Sequence, residues 1–389
     1  MQNNFDEKIT RRGSNSYKWD SDNNDEVIPL WVADMDFKTA QPIIDALAKR
    51  VQHGIFGYTK VPDTYYEAVI SWFERRHHVS FEKEWMIYTI GVVPAVSATI
   101  LALTEPGDQV IVQEPVYNCF FSSIRNNRCV SVSNDLIYSD RTYSIDFDDL
   151  EKKAADPKAK LLLLCNPHNP AGRVWAKEEL EKIGKICFRH NVLVVSDEIH
   201  CDLGYPGHTH LPFASLGQQY LENSVTLTAP SKTFNLAGLQ IANIFAYNPE
   251  IRKKIDKAIN INEVCDVSPF AVEGLIAAYI HEDSAKWLED LKNYLWENYL
   301  LLKEFFSENM PQFPVLPLEA TYLVWVDCKA LNMKSSEIAK LLLKKENVRV
   351  NEGTLYGEAG EGFIRINIAC PRQTLAEALQ KIKQAIGNE

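Results

Sequence analysis

Six short β-forming runs constrain this chain most: residues 85–90, 109–113, 161–165, 192–196, 224–228 and 241–246. Helical patterns lie between most of them, for example over residues 94–103 and 177–190. Strands that are apolar along nearly their whole length must be covered on both faces, so they read as an α/β sheet of mainly parallel strands, seven-stranded in type. The run at 241–246 is the candidate for an antiparallel exception. Beyond it the rhythm changes. A long helical pattern over residues 284–307 leads to strands near 322–326 and 363–368, with helices near 335–346 and 373–386. The expected organisation is an N-terminal segment, residues 1–50, packing with a small α+β C-terminal domain, residues 284–389, and a large domain, residues 51–283, between them.

With 389 residues, 46 % of them hydrophobic, the chain can bury a large core. Its net charge of −11 argues against nucleic acid or an anionic membrane as a general partner, because both would be repelled. No apolar run approaches the roughly 20 residues that span a bilayer, and the polar start Met1-Gln2-Asn3-Asn4 lacks a secretory apolar segment, so the expected location is cytoplasmic. Cysteines at 119, 129, 165, 187, 201, 265, 328 and 370 form no CxxC pair, which suits reduced thiols.

In open parallel sheets, ligands bind outside the carboxyl ends of strands, and polar groups cluster at those positions here. Lys232 follows the run at 224–228 inside Ala229-Pro230-Ser231-Lys232-Thr233-Phe234, where its amine can form an imine with an aldehyde cofactor. A lone lysine there is otherwise a solvated loop residue. Asp197 ends the run at 192–196 and can hold a pyridinium nitrogen protonated, or cap a turn. Asn169, in Asn166-Pro167-His168-Asn169-Pro170, suits a ring oxygen or simply a proline-rich turn. Gly91-Val92-Val93 opens a helix whose free amides suit a phosphate, and neither GxGxxG nor GxxxxGK[ST] occurs convincingly. Together these groups meet the needs of pyridoxal 5'-phosphate (PLP). Tyr117 offers a face for stacking, or a core side chain. Arg365 alternates with isoleucines and shares a strand face with Phe363 and Asn367, fit for a carboxylate or an internal salt bridge. His200, Cys201, Asp202, His208 and His210 are the rival constellation, but their spacing matches no standard zinc pattern, and no metal is expected. His77-His78 reads as a solvated helix end.

These residues, in this order, resemble the aspartate-aminotransferase-like, fold-type I PLP enzymes over nearly the whole chain. More narrowly, the strings Pro29-Leu30-Trp31-Val32-Ala33-Asp34-Met35-Asp36-Phe37, Phe56-Gly57-Tyr58, Ser196-Asp197-Glu198-Ile199-His200-Cys201-Asp202 and Ser231-Lys232-Thr233-Phe234-Asn235 resemble the MalY/PatB group of cystathionine β-lyases. The resemblance implies that Lys232 binds the cofactor aldehyde, Asp197 its ring nitrogen and Asn169 its ring oxygen, with Tyr117 stacked on the ring and His200 beside it. It assigns the phosphate to the Val92 and Val93 amides, Ser231, and Tyr58 from a neighbouring subunit, hence a homodimer with shared sites. Arg365 would clamp the substrate carboxylate, with Asn169 and Tyr58 also facing substrate. Two positions depart from the superfamily pattern: Gln240 stands where an arginine or lysine usually neutralises the phosphate, and Ala229 lacks a frequent hydroxyl.

The implied activity is carbon–sulfur β-elimination from L-cystathionine or related cysteine S-conjugates, giving a thiol, pyruvate and ammonia. The alternative is a class I/II aminotransferase, since both begin with removal of the Cα proton. A further role as a regulator through protein binding is implied by some members of the group, without an identifiable surface here.

Overall fold

Seven strands form the central sheet of the computed structural model, which describes residues 3–261, 263–264 and 266–387. They are β1 (Met86–Thr89), β2 (Gln109–Val112), β3 (Val130–Ser133), β4 (Ala159–Cys165), β5 (Leu193–Asp197), β6 (Ser224–Thr228) and β7 (Ala242–Phe245). Their spatial order is β1-β7-β6-β5-β4-β2-β3. Only β7 runs against its neighbours, as its sequence position suggested. Two reversals cancel. β1 therefore points the same way as β6, β5, β4 and β2, and their carboxyl ends share one edge of the sheet.

The apolar runs are buried on both faces because alternate side chains enter different cores. Leu161, Leu163 and Cys165 of β4 join Val225 and Leu227 on one face, while Leu162 and Leu164 join Val194 on the other. On the first face lies a helix, α2 (Val92–Leu103), through Val92, Ala95, Val96 and Ile100. Strand β3 is absent from the sequence expectation for a physical reason: it is an edge strand whose Val130-Ser131 half is exposed, so it carries no apolar run.

Ahead of the sheet lies α1 (Asp63–His77), and after it the 28-residue α3 (Glu282–Asn309), about 42 Å long. The division expected at 283/284 falls within the first turn of α3. A second sheet follows, β8 (Leu323–Asp327), β9 (Asn351–Glu352) and β10 (Phe363–Asn367), antiparallel in the order β8-β10-β9. The segment Ile28–Pro29 pairs in parallel with Val348–Arg349, and the Asp36 amide donates to the Ala369 carbonyl at 2.9 Å. No helix among the described residues is long and apolar enough to cross a membrane. The seven described cysteines are free thiols, and Cys265 lies outside the described residues.

His77 departs from the sequence expectation. It is buried, and its Nε2 lies 2.8 Å from an Asp202 carboxylate oxygen, because helical periodicity puts it four residues after Phe73 on the inward side of α1.

Candidate active site

The shared strand edge opens onto a cavity of about 710 Å³, lined by Val92, Val93, Tyr117, Asn169, Asp197, His200, Ser231, Lys232 and Arg365 among others. All of the site residues expected from sequence converge there except Tyr58, which is 96 % exposed and outside the cavity of its own chain.

Gly91 caps α2 with φ +146°, a left-handed-side conformation that L side chains rarely adopt, so glycine is required by the turn rather than by crowding. Val92 and Val93 occupy the first two helical positions, where amides have no intrahelical acceptor, and Pro94 has no N–H to offer. The helix mouth thus presents two donors to the cavity.

Asp197 is the last residue of β5, in register with Cys165 and Leu227. The Ile199 amide donates to its carboxylate at 3.2 Å. Burial pushes Asp197 up to about 7, against the lowering influence of the Ile199 amide and the Lys232 charge. Lys232 lies in the turn after β6, and its ammonium donates to the Ala33 carbonyl at 2.6 Å. Withdrawal from water, then the Arg365 charge, pull Lys232 down to about 8, while Asp34 and Asp197 oppose the shift.

Arg365 projects from the middle of β10, 3 % exposed. Its Nη1 donates to Asn169 Oδ1 at 3.1 Å and its Nη2 to the Trp31 carbonyl at 2.8 Å, while Nε has no partner and no carboxylate forms an ion pair with it among the described residues. Its guanidinium carbon sits 4.8 Å from the Tyr356 ring centroid. The internal salt bridge is therefore not its role. A buried guanidinium without a counter-charge is costly, and an incoming carboxylate would offset that cost.

Burial raises Tyr117 well above its ordinary range, with Cys119 and Asp197 adding to the effect. Burial holds His200 well below its ordinary range, so it is neutral, and its Nδ1 is buried without a partner. Gln240 lines the cavity in the left-handed region, φ 55°, and Lys232 and Arg365 are the only cationic side chains in the lining among the described residues.

The five residues of the rival constellation are spread over different contacts. His200 faces the cavity, His210 Nε2 sits 3.0 Å from Glu198, and His208 lies 3.9 Å from Glu319. Cys201 and Asp202 do meet His77, but the Asp202 carboxylate already accepts from Trp72 Nε1 and from Thr233 Oγ1 at 2.9 Å. Asp202 thereby anchors the residue next to Lys232.

Sequence reading did not find Ala33 or Tyr322. The Ala33 carbonyl accepts from both Lys232 and the Tyr322 hydroxyl, the latter at 3.0 Å. A backbone acceptor leaves no residue-type signal, and Tyr322 is hidden in an apolar strand start. Ala33 does fall inside the string at residues 29–37 that carried the resemblance.

A family model for aminotransferase class I and II matches residues 25–382. The chain belongs to that family. Among curated members, cystathionine beta-lyase PatB of Bacillus subtilis is 42 % identical over 387 residues, covering 98 % of this chain and 100 % of PatB. Protein MalY of Escherichia coli is 32 % identical, with 98 % of each chain covered. Cystalysin from Treponema denticola, solved with a pyridoxal 5'-phosphate cofactor, superposes with a TM-score of 0.96 at 36 % identity over the full length of both chains. In this aminotransferase class I and II chain the donors fit such a group: two helix-start amides for a phosphate, a buried carboxylate for a ring nitrogen and an amine for an aldehyde.

Proposed function

We propose that this chain is a PLP-dependent carbon–sulfur β-lyase acting on cysteine thioethers, L-cystathionine or related S-conjugates. The carrying observation is the meeting of Lys232, Asp197 and a carboxylate-free Arg365 at one cavity. The 42 % identity to a cystathionine β-lyase supports elimination over amino transfer.

Bound pyridoxal phosphate supplies an electron-withdrawing ring that stabilises negative charge at the substrate Cα. Lys232 would hold the cofactor aldehyde. Drawn down to about 8, its amine would serve as the base for the substrate Cα proton near neutral pH. Asp197 would face the ring nitrogen and favour its protonated form, and that positive charge would in turn favour the ionised carboxylate, which burial alone disfavours. Arg365 orients the substrate through its α-carboxylate, held in place by Asn169 and the Trp31 carbonyl. Tyr117 and the neutral His200 line the same cavity and would help to hold the ring. The Val92 and Val93 amides with Ser231 would hold the phosphate, without a cation at Gln240. Loss of the Cα proton and departure of the β-thiolate conserve charge, and Lys232 would carry that proton to the sulfur. Release and hydrolysis give pyruvate and ammonia.

We infer a homodimer in which Tyr58 of the partner subunit completes the phosphate site. Its support is an exposed apolar stretch around Ile55, Phe56 and Tyr58 at 66, 54 and 96 % exposure, a cost in water unless covered.

Pyruvate release from a cysteine thioether without any added keto acid tests the reading. Amino transfer to a keto acid with no thiol released would overturn it.

A further inference from the structure

Part of the cavity lining is aromatic and aliphatic. Tyr17, Trp31 and Leu355 form it, and Tyr17 and Leu355 are large apolar side chains 74 and 42 % exposed at the mouth. The Tyr17 and Trp31 rings lie 5.2 Å apart at 47°. Neighbouring contacts fix this pair. The buried Lys18 ammonium pairs with Asp36 at 2.9 Å, and Trp31 Nε1 donates to the Lys18 carbonyl at 3.3 Å.

Charge in the lining is sparse. Asp197, Lys232 and Arg365 are the only charged side chains in the lining among the described residues, and on the β-lyase reading each would serve the reacting amino-acid half. Arg349 packs behind, its guanidinium carbon 3.9 Å from the Trp31 ring centroid, but it is outside the lining and paired with Asp22 at 2.9 Å. Cystathionine carries a second ammonium and a second carboxylate on its leaving thiol. Those ions would meet apolar rings, with no counter-charge to replace their hydration. An uncharged hydrocarbon substituent would instead cover the exposed Tyr17 and Leu355 and bury apolar surface.

Resting on the β-lyase reading, we propose that Tyr17, Trp31 and Leu355 select cysteine S-conjugates whose thiol part is uncharged and apolar, aryl or branched alkyl, over L-cystathionine. Tyr17 is the specificity-determining residue, supplied by the N-terminal segment.

The test is kcat/KM from pyruvate release by the PLP-loaded enzyme on S-benzyl-L-cysteine, S-methyl-L-cysteine and L-cystathionine. S-benzyl-L-cysteine is expected to exceed cystathionine by about tenfold or more, the range an apolar pocket gives. In Tyr17→Ala the benzyl-to-methyl ratio is expected to fall roughly tenfold, and in Tyr17→Phe to stay near the parent value. Cystathionine equal to or above S-benzyl-L-cysteine, or a benzyl-to-methyl ratio unmoved in Tyr17→Ala, would overturn the proposal while leaving the lyase reading intact. No pyruvate from any of the three would overturn the lyase reading and this inference with it.

Discussion

Arg365 is buried with a side-chain amide, a carbonyl and a ring face for company, an arrangement that makes sense when a carboxylate arrives. Arg365→Ala is expected to lower kcat/KM by roughly a hundredfold, the worth of about 3 kcal/mol of charge-assisted hydrogen bonding, with most of the loss in KM. Unchanged KM would contradict the carboxylate clamp. Asp197 gives a pH signature in the cofactor-free protein. Burial moves its carboxyl from 3.8 to about 7, so the folded state keeps a proton that the unfolded chain has already released. The stability lent by neutral Asp197 is full below about pH 4 and is lost as pH rises through about 7, while Lys232, at about 8, stays charged in both states over most of that window. Thermal melts of the cofactor-free parent and Asp197→Asn should therefore diverge in the variant's favour from pH 4 to 7, by up to about 4 kcal/mol. A constant difference across that range would refute the raised pKa. The four strand-end groups were legible because residue type and position carry them. The Ala33 carbonyl was not, since every residue has one, and neither was His77, whose polar neighbours disguised an inward helical position.

Between elements, the turn from β9 to Tyr356 decides where the wall of the cavity stands. At Gly353 an added Cβ would overlap the Gly360 carbonyl, a backbone atom that cannot swing aside as a side chain can. Gly353→Ala is expected to cost at least 2 kcal/mol and to lower Tm by several degrees, measured by calorimetry on the holoenzyme. A Tm within one degree of the parent, roughly, would mean that the two turns separate freely. Strands β2, β4, β5 and β6 could be read from sequence because both their faces are buried, which leaves an unbroken apolar run. The exposed edge strand β3 alternates valine with serine and has too little core to announce itself. Long helices were equally plain, α3 within two residues at each end, since their apolar stripes persist over many turns.

At the scale of the whole molecule, the exposed Tyr58 and its apolar neighbours fit the proposed homodimer, in which a second copy would cover them. Co-expressing Lys232→Ala with Tyr58→Ala, each nearly inactive alone, should restore roughly a quarter of full activity, because half the dimers form heterologously and each then holds one intact site. No recovery beyond the sum of the two would contradict shared sites. Membership in the family was readable from strings scattered between residues 29 and 235, whereas the apolar mouth was not, because Tyr17, Trp31 and Leu355 meet only through the fold. Everything chemical in this account passes through one amine. Lys232→Ala, purified and supplied with pyridoxal phosphate, is expected to lose both the visible absorbance of lysine-bound cofactor and pyruvate release from cysteine thioethers. Retention of the parent's absorbance and turnover would contradict the account outright.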